Sequence, residues 1–228
     1  MTSVARVEWL TIAGDVEAWR RIGLVGRDDP DGSFFIPLHG TGLRIVPSHD
    51  QGDVGSADDT DGDVDRDGGA GLVGWAVSGI DEPVDGLIDG LVTEVVPPAD
   101  PVFAQHPLGA SGLDHVVVLT ADLSRTTGAI ESSTGCELKR VREVGEMRQG
   151  FHRVGPGGLI VEVVARPEVP AGPASFWGLV LNVDDLDAAC ELLGELVGAA
   201  KDAVQPGRRI ATLRSEAGLG LPVALMTT

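Results

Sequence analysis

Two short stretches decide the fold of this chain: residues 113–118 (LDHVVV) and residues 159–164 (LIVEVV). Both are rich in β-branched residues and therefore predict β-strands. Side chains alternate between the two faces of a strand, so His115 and Glu162 each share a face with apolar neighbours. A carboxylate in the middle of an apolar strand is costly unless it is paired or bound to a metal. The two stretches thus predict a sheet with one chemically useful polar side chain on each of two strands.

The residues between and after these stretches repeat one pattern. An amphipathic helix is predicted at 122–133, with Asp122 as its N-cap, and a hairpin turn is predicted at Gly155–Gly158. The other predicted strands are 137–144, 148–154, 176–183, 199–204, 208–214 and 222–226, and a second helix is predicted at 184–197. A β-α-β-β-β unit therefore occurs twice, as modules 113–166 and 175–228, which predicts an α+β fold.

The first half of the chain has shortened versions of the same unit. Strands are predicted at 7–13 and 72–80, and each is followed by a predicted helix, at 15–24 and 83–91. The apolar positions of 83–91 have helical spacing.

Two further segments organise the chain. Residues 49–70 hold eight aspartates and one arginine, which predicts a solvated acidic insertion. A proline-rich stretch at 97–107 separates the halves as a linker or surface strap. We therefore expect a degenerate half at 1–110 and a domain made of the two modules at 111–228.

The composition disfavours several classes of function. The chain has 35 acidic and 17 basic residues, a formal net charge of -18, and nucleic-acid binding needs a basic surface instead. No apolar run reaches the length of a membrane helix, and the first residues lack the apolar region of a signal peptide, so a cytoplasmic protein without membrane contact is predicted. Two cysteines without metal-site spacing predict no disulfide scaffold. A small molecule is the expected partner.

On the motifs quoted above, the chain resembles the vicinal oxygen chelate superfamily, which includes glyoxalase I, extradiol dioxygenases and bleomycin-resistance proteins. The resemblance covers 113–228 well and 5–96 loosely. It implies tandem βαβββ modules that form a cupped, partly open mixed sheet with helices on the outer face. It also implies, for the enzymes of the family, one divalent metal held in the cup by His or Gln from the first strand and Glu from the last strand of each module. On that basis His115 and Glu162 are predicted ligands of Zn, Mn, Fe or Ni.

The second module departs from this pattern at both ligand positions. Aligning the helix starts puts Gly178 where His115 stands, and aligning the closing strands puts Ala224 where Glu162 stands. A full shell therefore cannot be built from residues 113–228 alone. In the first segment Glu8 aligns with His115, so pairing of modules across the halves is one route to a third ligand.

The hairpin of the first module places further candidates. The tightest closure of the 155–158 loop puts Phe151 opposite Glu162, with Gln149 and Arg153 on the same face. Gln149 is then a candidate third metal ligand or a hydrogen-bond donor to substrate, and Phe151 and Arg153 are candidate substrate contacts. A loop one residue longer would swap the two faces, so the register stays open at this point.

Basic side chains gather near the end of this acidic chain. Arg208 and Arg209 follow a turn, and with Arg153 they would form a pocket for a carboxylate or phosphate. Salt bridges to the acidic half are the alternative. Trp177, at the start of the second module, is a further candidate substrate contact at the pocket mouth.

Two functions are compatible with these features. The first, which the sequence favours, is a glyoxalase-like protein with a degenerate metal site that binds a small oxygen-rich or anionic organic ligand, because Gly178 and Ala224 leave space in the cup. The second is a metal-dependent lyase, isomerase or dioxygenase with Glu162 as a catalytic residue. No cofactor other than a divalent metal is predicted. A homodimer is compatible with both, since a partner covers the cup edge in simpler relatives.

Overall fold

Two mixed β-sheets, of seven and eight strands, carry the structure. The computed structural model describes residues 4–48, 70–155 and 157–228. The predicted acidic insertion at 49–70 lies outside the described residues except for Ala70.

The N-terminal sheet has the strand order β2-β3-β4-β1-β5-β7-β6. Its elements are β1 (Arg6–Gly14), α1 (Val16–Arg21), β2 (Arg27–Asp28), β3 (Phe34–Ile36), β4 (Gly42–Pro47), β5 (Gly71–Ser78), a 3-10 turn (Val84–Gly86), β6 (Leu87–Ile88) and β7 (Leu91–Val95). Strand β1 pairs with β4 in parallel and with β5 in antiparallel orientation.

The C-terminal sheet has the order β13-β14-β15-β12-β8-β11-β10-β9. Its elements are β8 (Ala110–Thr120), α2 (Leu123–Thr134), β9 (Leu138–Val144), β10 (Met147–Val154), β11 (Leu159–Ala165), β12 (Ser175–Val183), α3 (Leu186–Leu193), a 3-10 turn (Gly194–Leu196), β13 (Lys201–Asp202), β14 (Arg209–Thr212), a 3-10 turn (Ser215–Ala217) and β15 (Val223–Thr227). The first strands of the two modules, β8 and β12, pair in the middle of the sheet. The α+β prediction is confirmed.

An aspartate begins each of the three helices. The side chains of Asp15, Asp122 and Asp185 accept hydrogen bonds from backbone N–H groups of the first helical turn, at 2.9–3.1 Å. These N–H groups have no partner within the helix, so the carboxylate both satisfies them and complements the helix dipole. Each helix therefore starts directly where its strand ends.

The helices cover one face of each sheet and leave the other face as a cup. Residues on the covered face, such as Val116, Val118 and Leu181, have no solvent exposure. The cup face of the C-terminal sheet has a separate small apolar cluster: Val180, Ala224 and Met226, with Ala203 and Ile210 packed against it. The two sheets meet where Trp75 packs against Phe176, with ring centroids 5.5 Å apart and an interplanar angle of 71°. The cup face, with its polar residues, is thus the place for a site.

The helix predicted at 83–91 is wrong. These residues form a 3-10 turn and a tight hairpin in which Leu87 pairs with Val92 and Ile88 with Leu91. Asp89 and Gly90 form the turn with φ of 49° and 95°. An Asp-Gly pair at the tip favours the turn that suits a two-residue hairpin, and this local preference prevails over the helical spacing of the apolar residues.

The second module ends its helix earlier than predicted. Helix α3 stops at Leu193, because Gly194 has a φ of 55°, and residues 194–196 continue as a 3-10 turn. The strand predicted at 199–204 is reduced to Lys201–Asp202. Every helix in the described part of the chain falls short of the length and apolar character that a membrane-spanning helix requires.

Candidate functional site

His115 and Glu162 lie side by side on adjacent strands in the cup of the C-terminal sheet. Strands β8 and β11 run in parallel, with Ile160 opposite His115 and Glu162 opposite Val117. Atom Nε2 of His115 is 3.4 Å from Oε2 of Glu162, and only about one-seventh of each side chain is exposed (15% and 14%). The two residues that the sequence singled out therefore form one half-buried pair.

A residue that the sequence did not indicate, Asp114, completes this pair on its other side. Across β8 and β12, His115 is opposite Val180 while Leu113 is opposite Leu181, so Asp114 is the extra residue of a β-bulge. The bulge turns its carboxylate toward the neighbouring ring, and His115 Nδ1 lies 2.7 Å from Asp114 Oδ2. Strict alternation of faces predicts the opposite direction for Asp114, which is why sequence reasoning missed it.

Arg208 balances the buried carboxylate of Asp114. Its Nη1 donates to Asp114 Oδ1 at 2.6 Å and its Nη2 donates to Asn182 Oδ1 at 2.7 Å. Further bonds from the same guanidinium reach the Thr227 carbonyl oxygen at 2.5 Å and Gln205 Oε1 at 2.9 Å. Arg208 therefore stabilises the site through its contacts with other protein groups. The sequence predicted a direct contact with substrate instead.

The two carboxylates of the site have pKa values that move in opposite directions. Burial alone would raise the pKa of Asp114, but hydrogen bonds from His115 and Arg208 outweigh it and lower the pKa below its ordinary value. Burial raises the pKa of Glu162, and the nearby His115 and Gln149 offset this only in part. Asp114 is thus the carboxylate of the site that stays ionised, and Glu162 is the carboxyl that takes up a proton more readily.

The predicted register of the first hairpin is confirmed. Phe151 pairs with Glu162 across β10 and β11, and Gln149 Nε2 donates to Glu162 Oε1 at 2.6 Å. The other amide atom, Gln149 Oε1, is buried and has no hydrogen-bond partner among the described residues. His152 faces the other way, with Nδ1 2.9 Å from the Cys136 carbonyl oxygen. Gln149 therefore offers a free acceptor beside Glu162.

The second module cannot supply matching groups. Ala224 pairs with Val180, which lies two residues after Gly178 in the chain. In the same way, Glu162 pairs with Val117, which lies two residues after His115. The alignment that places Gly178 and Ala224 at the missing ligand positions is thus confirmed. A Cβ atom at residue 178 would lie 2.6 Å from the Pro222 carbonyl oxygen, which is a clash with backbone. The position is closed to any side chain.

These residues match half of the metal shell that the resemblance implies. A separation of 3.4 Å between Nε2 and Oε2 suits two ligands on one tetrahedral metal with bonds of about 2.1 Å. An Asp–His hydrogen bond on the far ring nitrogen is also typical of metal-bound histidine. In the part of the chain that the structure describes, however, His, Cys, Asp and Glu form no group of three that could hold a metal. The full family shell does not fit this cup.

Pairing of modules across the halves, which would have added Glu8 to the site, is wrong. Strand β1 pairs with β4 and β5 of its own sheet, and Glu8 accepts a hydrogen bond from Ser78 Oγ at 2.6 Å. Glu8 itself is a bulge residue, because Val7 and Trp9 pair with consecutive residues of β5. The structural equivalent of Glu8 is therefore Asp114, and Trp9 occupies the position of His115.

A cavity of about 730 Å³ adjoins the site on one side. Asp114, Ile160 and Asn182 line it from the sheet, and Phe103 and His106 line it from the proline-rich segment. Arg153 also lines it, with Nη1 donating to the Gly158 carbonyl oxygen at 3.0 Å. Arg153 thus lies on the wall of this cavity, in contact with the Gly158 backbone.

Two other predicted substrate contacts lie away from this site. Arg209 points to the helix-covered face, where its Nη1 bonds both carboxylate oxygens of Asp187 at 2.8 and 2.9 Å. Trp177 sits in a bulge of β12 with 42% of its surface exposed, and it lines neither described cavity. Arg208 comes just before β14 and reaches the cup, whereas Arg209, the first residue of β14, points to the opposite face.

Comparison with solved structures supports the same architecture. A halotolerant catechol dioxygenase, BphC, is 13% identical with a TM-score of 0.66, over 100% of this chain and 88% of that chain. A variant of 4-hydroxymandelate synthase from Streptomyces coelicolor is 15% identical with a TM-score of 0.61, over 97% and 92%. The 2,2',3-trihydroxybiphenyl 1,2-dioxygenase from Sphingomonas wittichii strain RW1 is 17% identical with a TM-score of 0.59, over 99% and 91%.

The chain shares the fold of these solved structures, which is the fold that the resemblance implied. No family model and no curated protein matches it. At these identities the likeness concerns the fold, and the chemistry has to be argued from the residues of the cup.

Proposed function

We propose that the cup of the C-terminal sheet binds a small oxygen-rich organic molecule that carries hydroxyl groups and an anionic group. The observation that carries this proposal is the cluster of His115 and Gln149 around the mostly buried Glu162 carboxylate, where the described residues form no group of three metal ligands. Such a set recognises neighbouring oxygen atoms through hydrogen bonds.

The contacts of each side chain in the cup suggest its role in binding. Gln149 Oε1, which is buried and unpartnered among the described residues, would accept from a ligand hydroxyl. Glu162 would accept from a second hydroxyl, and His115 Nε2 would contact the same oxygen. Asp114 and Arg208 would hold the imidazole in place. An unpaired acceptor is costly when buried, so a ligand hydroxyl on Gln149 contributes to binding.

The anionic group of the ligand would lie toward the 730 Å³ cavity. Arg153 lines that cavity beside Ile160, and its guanidinium makes one hydrogen bond to the part of the chain that the structure describes. A guanidinium with free N–H groups recognises carboxylate and phosphate well.

The second candidate is a metal-dependent lyase, isomerase or dioxygenase with Glu162 as catalytic residue and His115, Glu162 and Gln149 as ligands. The 3.4 Å separation of His115 Nε2 and Glu162 Oε2 favours it. The closed position of Gly178 favours binding without metal instead, because the other half of the shell has no donor.

Tartrate and succinate test the proposal, since they share two carboxylates and only tartrate has vicinal hydroxyls. The readout is the histidine ring signals in NMR spectra, with the His115 signal assigned from the His115→Ala variant. We expect tartrate to shift the His115 signal saturably, and succinate to bind roughly tenfold more weakly for each lost hydroxyl contact. The variant Gln149→Met should lower tartrate affinity by a similar factor.

The buried His152 serves as an internal control, because its signal should not move. Equal binding of tartrate and succinate, or no shift of the His115 signal at millimolar tartrate, would contradict the proposal.

A further inference from the structure

The N-terminal sheet has a cavity of its own, which the proposed function does not use. Its volume is about 390 Å³, which is within the range of small-molecule sites. Two aromatic residues, Trp9 and Phe35, line it from the sheet, and residues 99–102 of the proline-rich segment cover its rim. The cavity is therefore a pocket with an aromatic wall on the sheet and a second wall from the proline-rich segment.

This cavity occupies the position of the His115–Glu162 site in the other sheet. Trp9 is equivalent to His115, and Arg44, which pairs with Thr11, is equivalent to Glu162. Phe35 pairs with Arg44 as Phe151 pairs with Glu162. The same backbone positions thus carry tryptophan and arginine in place of histidine and glutamate, which exchanges an acceptor-rich site for a donor-rich one.

The aromatic wall is built by the backbone as well as by the rings. Gly42 pairs with Trp9, and a Cβ atom on it would lie 2.5 Å from Cζ of Phe35. The missing side chain lets the Phe35 ring lie across β4 toward Trp9, where the two rings meet edge to face with centroids 6.3 Å apart. A planar ligand ring would pack beside these two rings.

The donors of the cavity are not used up within the protein. The buried Trp9 Nε1 has no acceptor among the described residues. Within the described residues, the three lining arginines, Arg6, Arg27 and Arg44, each donate one or two hydrogen bonds. A guanidinium has more N–H groups than that, so donors remain for a ligand. These are three of the six basic residues in the first 110 positions, a concentration that a salt-bridge role alone does not require.

Acidic neighbours limit the charge that the cavity accepts. Glu8, Asp29 and Asp100 also line it. Glu8 is held by Ser78 and lies 3.8 Å from Arg6, and Asp29 accepts from Arg27 at 3.0 Å. Asp31 also pairs with Arg44 from outside the lining, so four acidic and three basic side chains meet here, and a single anionic group suits the cavity better than a polyanion.

We propose that this cavity is a second ligand site, which binds an aromatic monocarboxylate. The ligand ring packs against Trp9 and Phe35, and its carboxylate accepts from Trp9 Nε1 and from the arginines. An arginine stacked on an aromatic ring, as Arg27 is on Phe35 at 4.9 Å, keeps both surfaces ordered for such a ligand.

The probe is 2-naphthoate, titrated into the full chain while the tryptophan indole N–H signals are followed by NMR. The chain has four tryptophans, so Trp9→Phe assigns the Trp9 signal by its loss. We expect a saturable downfield shift of that signal, since a carboxylate becomes the partner of Nε1. Calorimetry should show affinity lowered roughly tenfold in Trp9→Phe and in Arg44→Gln, the loss expected for one charge-assisted hydrogen bond.

Control ligands and a control variant separate the contributions of the aromatic ring, the carboxylate and Trp9 to binding. Cyclohexanecarboxylate lacks the aromatic ring, 2-naphthylmethanol lacks the carboxylate, and both should bind at least about tenfold more weakly. The variant Trp177→Phe changes a tryptophan outside both cavities and should leave affinity unchanged.

Three outcomes would overturn the proposal. The first is no shift of the Trp9 signal at 5 mM naphthoate (roughly the weakest binding worth calling a site). The second is unchanged naphthoate affinity in both Trp9→Phe and Arg44→Gln. The third is loss of naphthoate binding in His115→Ala. The last result would place the probe in the other cup, which leaves the proposed function testable by itself.

Discussion

The two sheets of this protein present equivalent positions with opposite chemistry. In the C-terminal cup, His115 and Glu162 lie together beside the bulge residue Asp114. In the N-terminal cup the same two positions are Trp9 and Arg44, and the bulge residue is Glu8. The bulge and its buried carboxylate are common to both halves, whereas the side chains that face the cup differ. The fold therefore sets where a site can be, and a few exchanged side chains set what it binds.

The two buried carboxylates are also held differently. Arg208 compensates Asp114 through a direct ion pair with 8% and 20% of the two side chains exposed. Glu8 accepts from the hydroxyl of Ser78, and Arg6 is 3.8 Å away. The position of Ser78, opposite Arg6 on β5, corresponds to that of Asn182 on β12. The C-terminal cup thus depends more strongly on one charged partner, and this difference can be tested.

The largest effect is expected from Arg208→Ala. The change leaves the Asp114 carboxylate buried without its charge partner, which costs about 3–5 kcal/mol in the free energy of unfolding. Arg209→Ala is the matched control, because its pair with Asp187 is exposed and its loss should cost far less. Urea denaturation of the two variants measures both values. Equal losses would show that the Asp114–Arg208 pair does not hold the cup together.

A smaller loss is expected from Gly178→Ala, which tests whether the second ligand position is closed. The new methyl group would press on the Pro222 backbone and cost about 1–3 kcal/mol. Gly128, in the middle of α2, has open space around it, and Gly128→Ala should stabilise the chain by about 0.5–1 kcal/mol. Thermal and urea unfolding compare the two. A neutral Gly178→Ala would mean that the cup can accept a side chain there.

The smallest effect is a pair of opposite pH dependences at one site. The pKa of Asp114 is lowered on folding, so its contribution to stability is present above its ordinary pKa and is lost as the pH falls. The pKa of Glu162 is raised, so its contribution is present at low pH and is lost as the pH rises through the folded value. Asp114→Asn should therefore lower the free energy of unfolding most at neutral pH. For Glu162→Gln, the free energy of unfolding relative to that of the unchanged protein should be highest at neutral pH.

Urea midpoints between pH 3 and pH 8 test this pair (roughly the range that spans carboxyl titration). The comparison needs both variants, since the two carboxylates are close enough to influence each other. Parallel pH profiles for the two variants would contradict the assignment of Asp114 as the anion and Glu162 as the group that protonates.

Much of the C-terminal half could be predicted from the sequence because its signals are local and regular. The repeated order of elements, the aspartate at each helix start and the tight 155–158 turn each indicate structure through neighbours in the chain. From these follow the placement of Gln149 and Phe151 beside Glu162, and the equivalence of Gly178 with His115.

The parts that could not be predicted depend on irregular backbone. A β-bulge adds a residue that alternation does not foresee, so Asp114 was missed and Glu8 was assigned one position away from its true equivalent. The 83–91 helix failed because two Asp-Gly pairs form turns there. The role of Arg208 depends on partners from three separate strands and their ends, which no local pattern shows.

We infer that the C-terminal cup recognises a ligand without holding a complete metal shell. The direct test is metal content after purification and dialysis against Mn, Fe, Ni and Zn salts, with His115→Ala and Glu162→Ala as controls. We expect far less than one ion per chain, equally in all three proteins. One ion per chain, lost in both variants, would overturn this inference and would make the metal-dependent enzyme the better interpretation.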